Sequence, residues 1–314
     1  MNKYKILVSL LSVIFLFLAC SKDELGKTAA VISDTGIFSK DYITIGTFNL
    51  EWLGDGHRDR KKRSSEDYAN IANAIKDIDA DILGLQEIEN RVAVKKILNY
   101  LPEYDFIIGK TGGAQKLAFL YKKSLAIVSY GEYYPIMIEK RCTKAGLWVY
   151  VKAGNFDFHL LNVHLKSSSH WDNTPAKAAK SIYLRRSQAK AIVKWADSIL
   201  TNTAEEDVVI LGDFNDSPKK KKNNTLSIIS GDTRLIFLSE DLRSCKFRNL
   251  YTIDQIVVSD TSSLRFITDS EFMYNTHNAF SKSEVKGISD HCPVTVKFDV
   301  SIPDNDPLLE IAFR

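Results

Sequence analysis

The chain of 314 residues carries 42 Lys and Arg against 39 Asp and Glu, a net charge of +3, and 45% of it is hydrophobic. That balance excludes a fibrous, low-complexity or strongly polybasic protein, and the length allows one large α/β domain or two small ones with an ample core. So small a net charge selects no partner, and any preference for a polyanion must come from local clusters.

The N-terminus reads apart from the domain. Lys3 and Lys5 precede the apolar run Ile6 to Ala19, which is short for a bilayer span and ends at Leu18-Ala19-Cys20. Residues 1–19 thus look like a bacterial lipoprotein signal, with Cys20 as the lipidated first residue, although an ordinary secretory signal with an incidental Cys20 is the alternative. Ser21-Lys22-Asp23-Glu24 resembles the acidic tag that routes lipoproteins to the cell surface, so an exported outer-membrane or cell-surface protein is expected, anchored to the membrane by lipid. Loss of Lys3 and Lys5 with the signal lowers the net charge from +3 to +1. Residues 20–41 are small, polar and unpatterned and read as a tether.

The domain is expected over residues 42–302, followed by a tail, 303–314. Ile43 to Phe48 is a first strand that finishes at Asn49-Leu50-Glu51. A basic loop, Arg58 to Arg63, leads to Ser64 or Ser65 as a helix cap, with Tyr68, Ile71, Ile75 and Ile78 at helical steps. Asp81 to Leu85 is a buried strand running into Gln86-Glu87, and a second helix around Val94, Ile97, Leu98 and Leu101 stops at Pro102. Short strands follow at 106–108, 117–121, 125–129, 146–151 and 156–163, the last ending in Asn162-Val163-His164. A polar loop with Lys166, Trp171 and Pro175 precedes a long helix from about Ala176 to Leu200. The continuous apolar run Val208 to Leu211 reads as a strand buried on both faces, and it breaks into Gly212-Asp213-Phe214-Asn215-Asp216. Taken alone, this could be a strand with an Asx turn. Lys219 to Lys222 come next, then an apolar strand interrupted by Asp254, and finally Ser289-Asp290-His291 before a closing strand, Val294 to Val300. No internal repeat or second domain boundary is visible.

Collected, the polar strand ends are Asn49/Glu51, Glu87, His164, Asp213/Asn215, Asp254 and Asp290/His291. Acids and amides at one edge of a buried sheet suit a hard cation such as Mg²⁺ or Mn²⁺, and two histidines suit proton transfer near neutral pH. Zinc is disfavoured because no HxH or HExxH pair is present, and neither a P-loop nor a GxSxG elbow occurs. His57, His159, His170, His277 and Asp216 read as surface or core residues. Of the three cysteines beyond the signal, Cys142 and Cys245 are the preferred disulfide pair, and Cys292 reads as core.

The ordered set Asn49-x-Glu51, Gln86-Glu87, Asn162-x-His164, Gly212-Asp213-x-Asn215, Ile253-Asp254-x-Ile256 and Ser289-Asp290-His291 resembles the endonuclease/exonuclease/phosphatase superfamily, the deoxyribonuclease I-like group. The resemblance covers about residues 42 to 300. It implies an α/β four-layer sandwich: two mixed β-sheets packed face to face, flanked by helices, with the site at one edge. It also implies roles. Glu87 would be the main Mg²⁺ ligand, assisted by Asn49 and Glu51, with Asp290 near the metal. Asp213 would orient or deprotonate the attacking water, and Asn215 would hold a phosphate oxygen. His291, oriented by Asp254, would contact the scissile phosphate or act as base, and His164 would bind phosphate or protonate the leaving group. Arg141 lies where the group often places a phosphate-contacting Arg before Pro, but Cys142 follows it here.

The expected reaction is in-line hydrolysis of a phosphodiester by a monomeric, metal-dependent enzyme, with DNA or RNA as the first substrate class. The two basic runs, 58–63 and 219–222, would rim the cleft and attract a polyanion, unless they are ordinary solvated charge. Lys166 and Trp171 would form a further substrate wall. The alternative within the enzyme class is a sphingomyelinase-like or phosphoinositide-type phosphoesterase. A non-catalytic binding protein on the same fold would be expected to lack Glu87, Asp213, Asn215 or His291, and all four are present.

Overall fold

In the computed structural model, which describes residues 38–168 and 172–304, one alternation governs both sheets. Strand β1 (Tyr42–Leu53) sends Ile43 and Ile45 into one apolar cluster and Phe48 and Leu50 into another, the period of two that a strand imposes. It runs through α1 (Ser65–Ile78) into β2 (Ile82–Ile88), which lies parallel to it, and then through α2 (Arg91–Leu98) to β3 (Tyr104–Ile108) and β4 (Lys116–Lys122). The second half repeats the device. Strands β5 (Ala126–Tyr133), β6 (Gly146–Ala153) and β7 (Phe156–His164) form a meander, and α3 (Pro175–Asn202) crosses over to β8 (Val208–Asp213), parallel to β7. Four strands complete the sheets: β9 (Leu235–Phe237), β10 (Asp254–Ser259), β11 (Phe272–Met273) and β12 (Val294–Asp299).

The sheet orders are β11-β12-β1-β2-β4-β3 and β5-β6-β7-β8-β10-β9, six strands each, and in both the parallel pair sits at the centre. A central apolar cluster, including Ile45, Phe119, Val149, Leu160, Val209, Ile256 and Phe298, fills the space between the two inner faces. A second cluster packs α1 and α2 on the outer face of one sheet, and a third packs α3, through Ile192, Trp195 and Ile199, on the outer face of the other. The result is the four-layer sandwich expected from the sequence. No helix among the described residues is long and apolar enough to cross a membrane.

The expected helices and main strands are present, with sharper ends. Ser64 caps α1 in a reciprocal box with Asp67, and Asn90 caps α2 through the backbone N–H groups of Val92 and Ala93. The three-residue β9 and two-residue β11 were not foreseen, since such short edge segments carry no periodicity to read. The signal segment, Cys20 and Trp171 lie outside the described residues. The cysteine pairing needs correction: the disulfide joins Cys245 to Cys292, and Cys142 is free and exposed. The segment before β10 packs on the start of β12 and brings those two Cα atoms to 6.3 Å, a proximity that sequence spacing cannot report. Cys292 is buried, as expected, but as a half-cystine.

At the end of the sandwich where β7 begins, Glu205 is buried against the Tyr150 hydroxyl at 3.0 Å and accepts the Asp207 N–H at 2.7 Å. Burial pushes its carboxyl up to about 9 from the ordinary 4.5, so the folded state prefers the protonated form. Its stabilising contribution is therefore complete below about pH 4.5 and is lost progressively as pH rises toward 9. Glu205→Gln, which fixes the neutral state, is expected to raise stability at pH 8 by roughly 1–3 kcal/mol and to have little effect near pH 4, as measured by urea denaturation at both values.

Candidate active site

The alternation that buries the inner faces also delivers the polar residues. Asn49, His164, Asp213 and Asp254 are in phase with the inner-facing positions of β1, β7, β8 and β10, so the same face turns from apolar to polar where those strands reach one edge of the sandwich. Register then sets them side by side: His164 pairs with Asp213 across the parallel β7–β8 ladder, and Asp213 with Asp254 across the antiparallel β8–β10 ladder. Glu87 is out of phase with the inner residues of β2. Its φ of +63° breaks the pleat and turns the carboxylate back toward the site, and Glu51 and Trp52 on the neighbouring strand are likewise at positive φ (43° and 58°). The β1–β2 ladder slips between Asn49 and Leu53 for the same reason.

Arg63 holds that distorted strand end. Its guanidinium donates to the carbonyls of Leu50, Glu51 and Trp52 on β1 and of Gly287 and Ile288 just before Ser289, at 2.6–3.0 Å. Ser289 completes the tie: its Oγ donates to the Asn49 carbonyl at 2.7 Å and accepts the His291 N–H at 3.1 Å.

The centre of the site is a chain of charged contacts. His291 Nδ1 lies 2.8 Å from Asp254 Oδ2, and its Nε2 lies 3.9 Å from Asp213 Oδ2. Asp213 Oδ2 also accepts from Asn49 Nδ2 at 3.0 Å, and its Oδ1 accepts the Asn215 N–H at 2.9 Å. Asn49 Nδ2 reaches Glu87 Oε1 at 3.4 Å, while Glu87 Oε2 accepts the Trp52 N–H. Burial alone would lower the His291 pKa, but Asp254 and Asp213 outweigh it and raise it, so this imidazole is a cation at neutral pH. Burial is also the main cause that raises the Asp213 carboxyl, with His291 opposing. One oxygen of Asp254, Oδ1, is buried without a partner.

Lys144 was not foreseen. It is buried ahead of β6, its Nζ 3.0 Å from His164 Nδ1. Burial lowers its pKa to about 8 although Glu87 and Asp213 pull the other way. Burial, followed by the charges of Lys144 and His291, drives His164 well below its ordinary value. An ammonium can only donate, so His164 Nδ1 is the acceptor and the ring hydrogen sits on Nε2, which faces Asp213 at 3.5 Å and Glu87 at 3.9 Å. The signal for Lys144 in the sequence is a lysine directly before the apolar run of β6, whereas Arg141, three residues upstream, is exposed.

Other expected residues are placed as follows. Glu51 pairs with Lys61, and Asp290 with Lys246 at 3.2 Å, so both stand at the rim. Asn215, at φ +51°, donates to the Leu165 carbonyl at 3.1 Å. Lys166 follows β7, with its Nζ on the Ser167 carbonyl and close enough to His164 to disfavour its protonation. Asp216 is buried and structural, accepting from Thr225. The basic runs are largely committed: Arg60 stacks on Trp52 at 4.1 Å, Lys219 pairs with Glu240, and Lys220 with Asp216.

The donor set fits a divalent cation. Glu87 and Asp213 share the Asn49 amide as a donor, at 3.4 and 3.0 Å, Asp213 and Asp254 both approach His291, and Asn49 Oδ1, which accepts the Glu51 N–H, adds an oxygen at the same strand end. Asp213, Asp254 and His291 offer ligand atoms within 4.8 Å of one another. Glu87, whose carboxylate is not engaged with His291, and Asn49 beside it are the pair that would hold a metal.

The chain matches the endonuclease/exonuclease/phosphatase family over residues 46–291. No curated protein matches it in sequence. Among solved structures it is similar to a mannosyl-6-phosphatase of Bacteroides thetaiotaomicron (19% identity, TM-score 0.57, covering 81% of this chain and 98% of that one). It is also similar to TDP2 from C. elegans (15%, 0.57, 82% and 75%) and to the human Nocturnin catalytic domain with bound sulfate (15%, 0.59, 86% and 97%). At such identities the likeness establishes the fold.

Gly212 is what lets Asp213 reach the site: at φ +142°, a Cβ there would lie 1.9 Å from the Val163 carbonyl oxygen. Gly212→Ala is expected to cost about 3 kcal/mol or more and to lower Tm by roughly 5–10 °C in calorimetry, because neither backbone can retreat without breaking the β7–β8 ladder.

Proposed function

The chain belongs to the endonuclease/exonuclease/phosphatase family, whose members hydrolyse phosphate esters, and from that premise we propose that it is a Mg²⁺-dependent phosphodiesterase that cuts DNA or RNA in the cell envelope. The observation that carries the reading is the Asp254–His291–Asp213 relay, with Asn49, Asn215 and Glu87 gathered on its other side. Asp213 takes the proton of the attacking water; burial raises its carboxyl toward the neutral range, where a base is most effective. His291, kept cationic and oriented by Asp254, faces the scissile phosphate and offsets its growing negative charge. Asn215 binds a phosphate oxygen through its amide. Neutral His164 turns its Nε2–H toward Asp213 and Glu87, 3.5 and 3.9 Å away, while Lys144 supplies positive charge behind it. A divalent ion held by Glu87 and Asn49, with Glu51 and Asp290 at the rim, would supply Lewis-acid stabilisation of the phosphate.

The envelope assignment rests on residues 1–24, read as a lipoprotein signal, Cys20 and an acidic tag. Cys20→Ala is expected to abolish incorporation of labelled palmitate and to release the protein from membranes; labelling that persists in the variant would remove this part of the reading.

Plasmid DNA, RNA, bis-(p-nitrophenyl) phosphate and sphingomyelin, each supplied with Mg²⁺ and then with EDTA, test the activity. Cleavage of either nucleic acid that depends on Mg²⁺ and falls by about 10²–10⁴-fold in Asp213→Ala is expected. Release of choline phosphate without nicking would assign the site to lipid instead.

A further inference from the structure

Two cavities flank the site, and a single ion pair, Lys246–Asp290, lines both. The first, of about 290 Å³, opens beside Asp254 and His291 and is walled by Phe247, Leu250, Tyr251 and Met273. The second, of about 540 Å³, lies on the other side of Asp290, where Arg60, Lys61, Lys246 and Lys286 face the carboxylates of Glu51 and Asp290, four cations against two anions. The walls of the first come largely from the segment Arg243-Ser244-Cys245-Lys246-Phe247-Arg248-Asn249-Leu250-Tyr251, in which cations and flat or apolar side chains interleave. Phe247 and Leu250 are 56% and 59% exposed, an arrangement that costs free energy in water unless something covers them. Arg243 already stacks on Tyr251 at 3.7 Å, and Lys246 lies 5.5 Å from the centre of the Phe247 ring.

This segment has little regular structure, only an isolated bridge between Arg243 and Tyr251, yet it is fixed to the catalytic strand end at two points. The Cys245–Cys292 disulfide ties it to the residue after His291, and Lys246 binds Asp290. Apolar surface for a flat group therefore stands at a set distance from His291, and a cationic groove continues on the far side of the same histidine loop.

We propose, building on the phosphodiesterase reading, that the two cavities form the track of a single-stranded nucleic acid. One base next to the scissile phosphate stacks on Phe247 and Leu250 in the smaller cavity. The neighbouring phosphate lies in the groove against Lys286, with Arg60 and Lys61, which also hold Trp52 and Glu51, along its wall. Aromatic side chains stack on any base, and cations follow the backbone, so the track is tolerant of sequence. A duplex keeps its bases inside the stack and has no free face to offer Phe247. A membrane would meet a lip of only two exposed apolar residues, with the rest of the apolar wall recessed beside the catalytic histidine.

The test is binding of a fluorescent 12-nucleotide single strand to the purified protein in EDTA, where metal-assisted cleavage is stopped, compared with the same sequence as a duplex and with phosphatidylglycerol vesicles. The single strand is expected to bind at least about tenfold more tightly than the duplex. Phe247→Ala should weaken it by about fivefold or more, the loss of one stacked base. Lys286→Glu should weaken it and flatten its logarithmic salt dependence by about 0.7 or more. Tyr183→Ala, exposed on α3 outside both cavities, should leave it unchanged. Equal affinity for duplex, or single-strand binding indifferent to Phe247 and Lys286, would overturn the proposal, as would an effect of these variants on vesicles in place of the oligonucleotide. Turnover of bis-(p-nitrophenyl) phosphate with Mg²⁺, measured on the unmodified protein in parallel, reports separately on the phosphodiesterase reading.

Discussion

One buried amide joins the two sheets beneath the site. Asn162, on β7, reaches across the interior so that its Nδ2 donates to the carbonyls of Leu85 and Ala118, at 3.0 and 2.9 Å, while its Oδ1 accepts from Gln86 at 2.8 Å. Leu85 and Ala118 are paired where the β2–β4 ladder becomes irregular, and the amide supplies the donor that the ladder no longer does. Gly84 permits the approach, since a Cβ there would meet Leu211 at 2.2 Å. Each such hydrogen bond is worth only about 1 kcal/mol net, but leaving these buried groups unpaired costs considerably more, so the relative position of the sheets is narrowly defined. Asn49 and Glu87 come from one sheet and His164, Asp213 and Asp254 from the other, so the distances between them depend on this contact.

Above that link the site is a problem in charge. Asp213 and Asp254 are close enough to repel, and His291 lies against both. Lys144 adds positive charge from behind His164, and Arg63 binds the carbonyls exposed by the positive-φ turn that aims Glu87 and Glu51. Two left-handed residues in succession cost on the order of 1–3 kcal/mol each, and the five hydrogen bonds of Arg63 are the visible compensation. The strain lies at the strand end that carries Glu51 and Glu87.

Local charge in the sequence was a poor guide to which cations are free. The run 58–63 looked like a basic rim, yet Arg63 is a structural clamp, Arg60 covers Trp52 and Lys61 neutralises Glu51. Lys219 and Lys220 fix their own loop to Glu240, Asp241 and Asp216. The segment that carries exposed cations and aromatic rings together, Arg243 to Tyr251, has no periodicity and no run of like charge to mark it in the sequence.

Much of the site was legible because β-structure has a period of two. Once Ile43, Ile45, Leu160, Val209 and Ile256 are recognised as inner-facing, Asn49, His164, Asp213 and Asp254 fall on the same face by counting, and their order along the chain resembles a known family. The strand ends and most of the polar residues gathered there were therefore determined by the sequence itself, and the layered α/β architecture was what the family resemblance carried by those residues implied. Only the tertiary structure decided the rest. Glu87 needed a left-handed backbone to leave the wrong face, and Lys144 needed the antiparallel pairing of β6 with β7 that sets it beside His164. Cys292 found Cys245 rather than leaving it to Cys142, and Lys246 reached Asp290. These are contacts between segments far apart in the chain, set by how two sheets and their loops meet. No local pattern encodes such a distance.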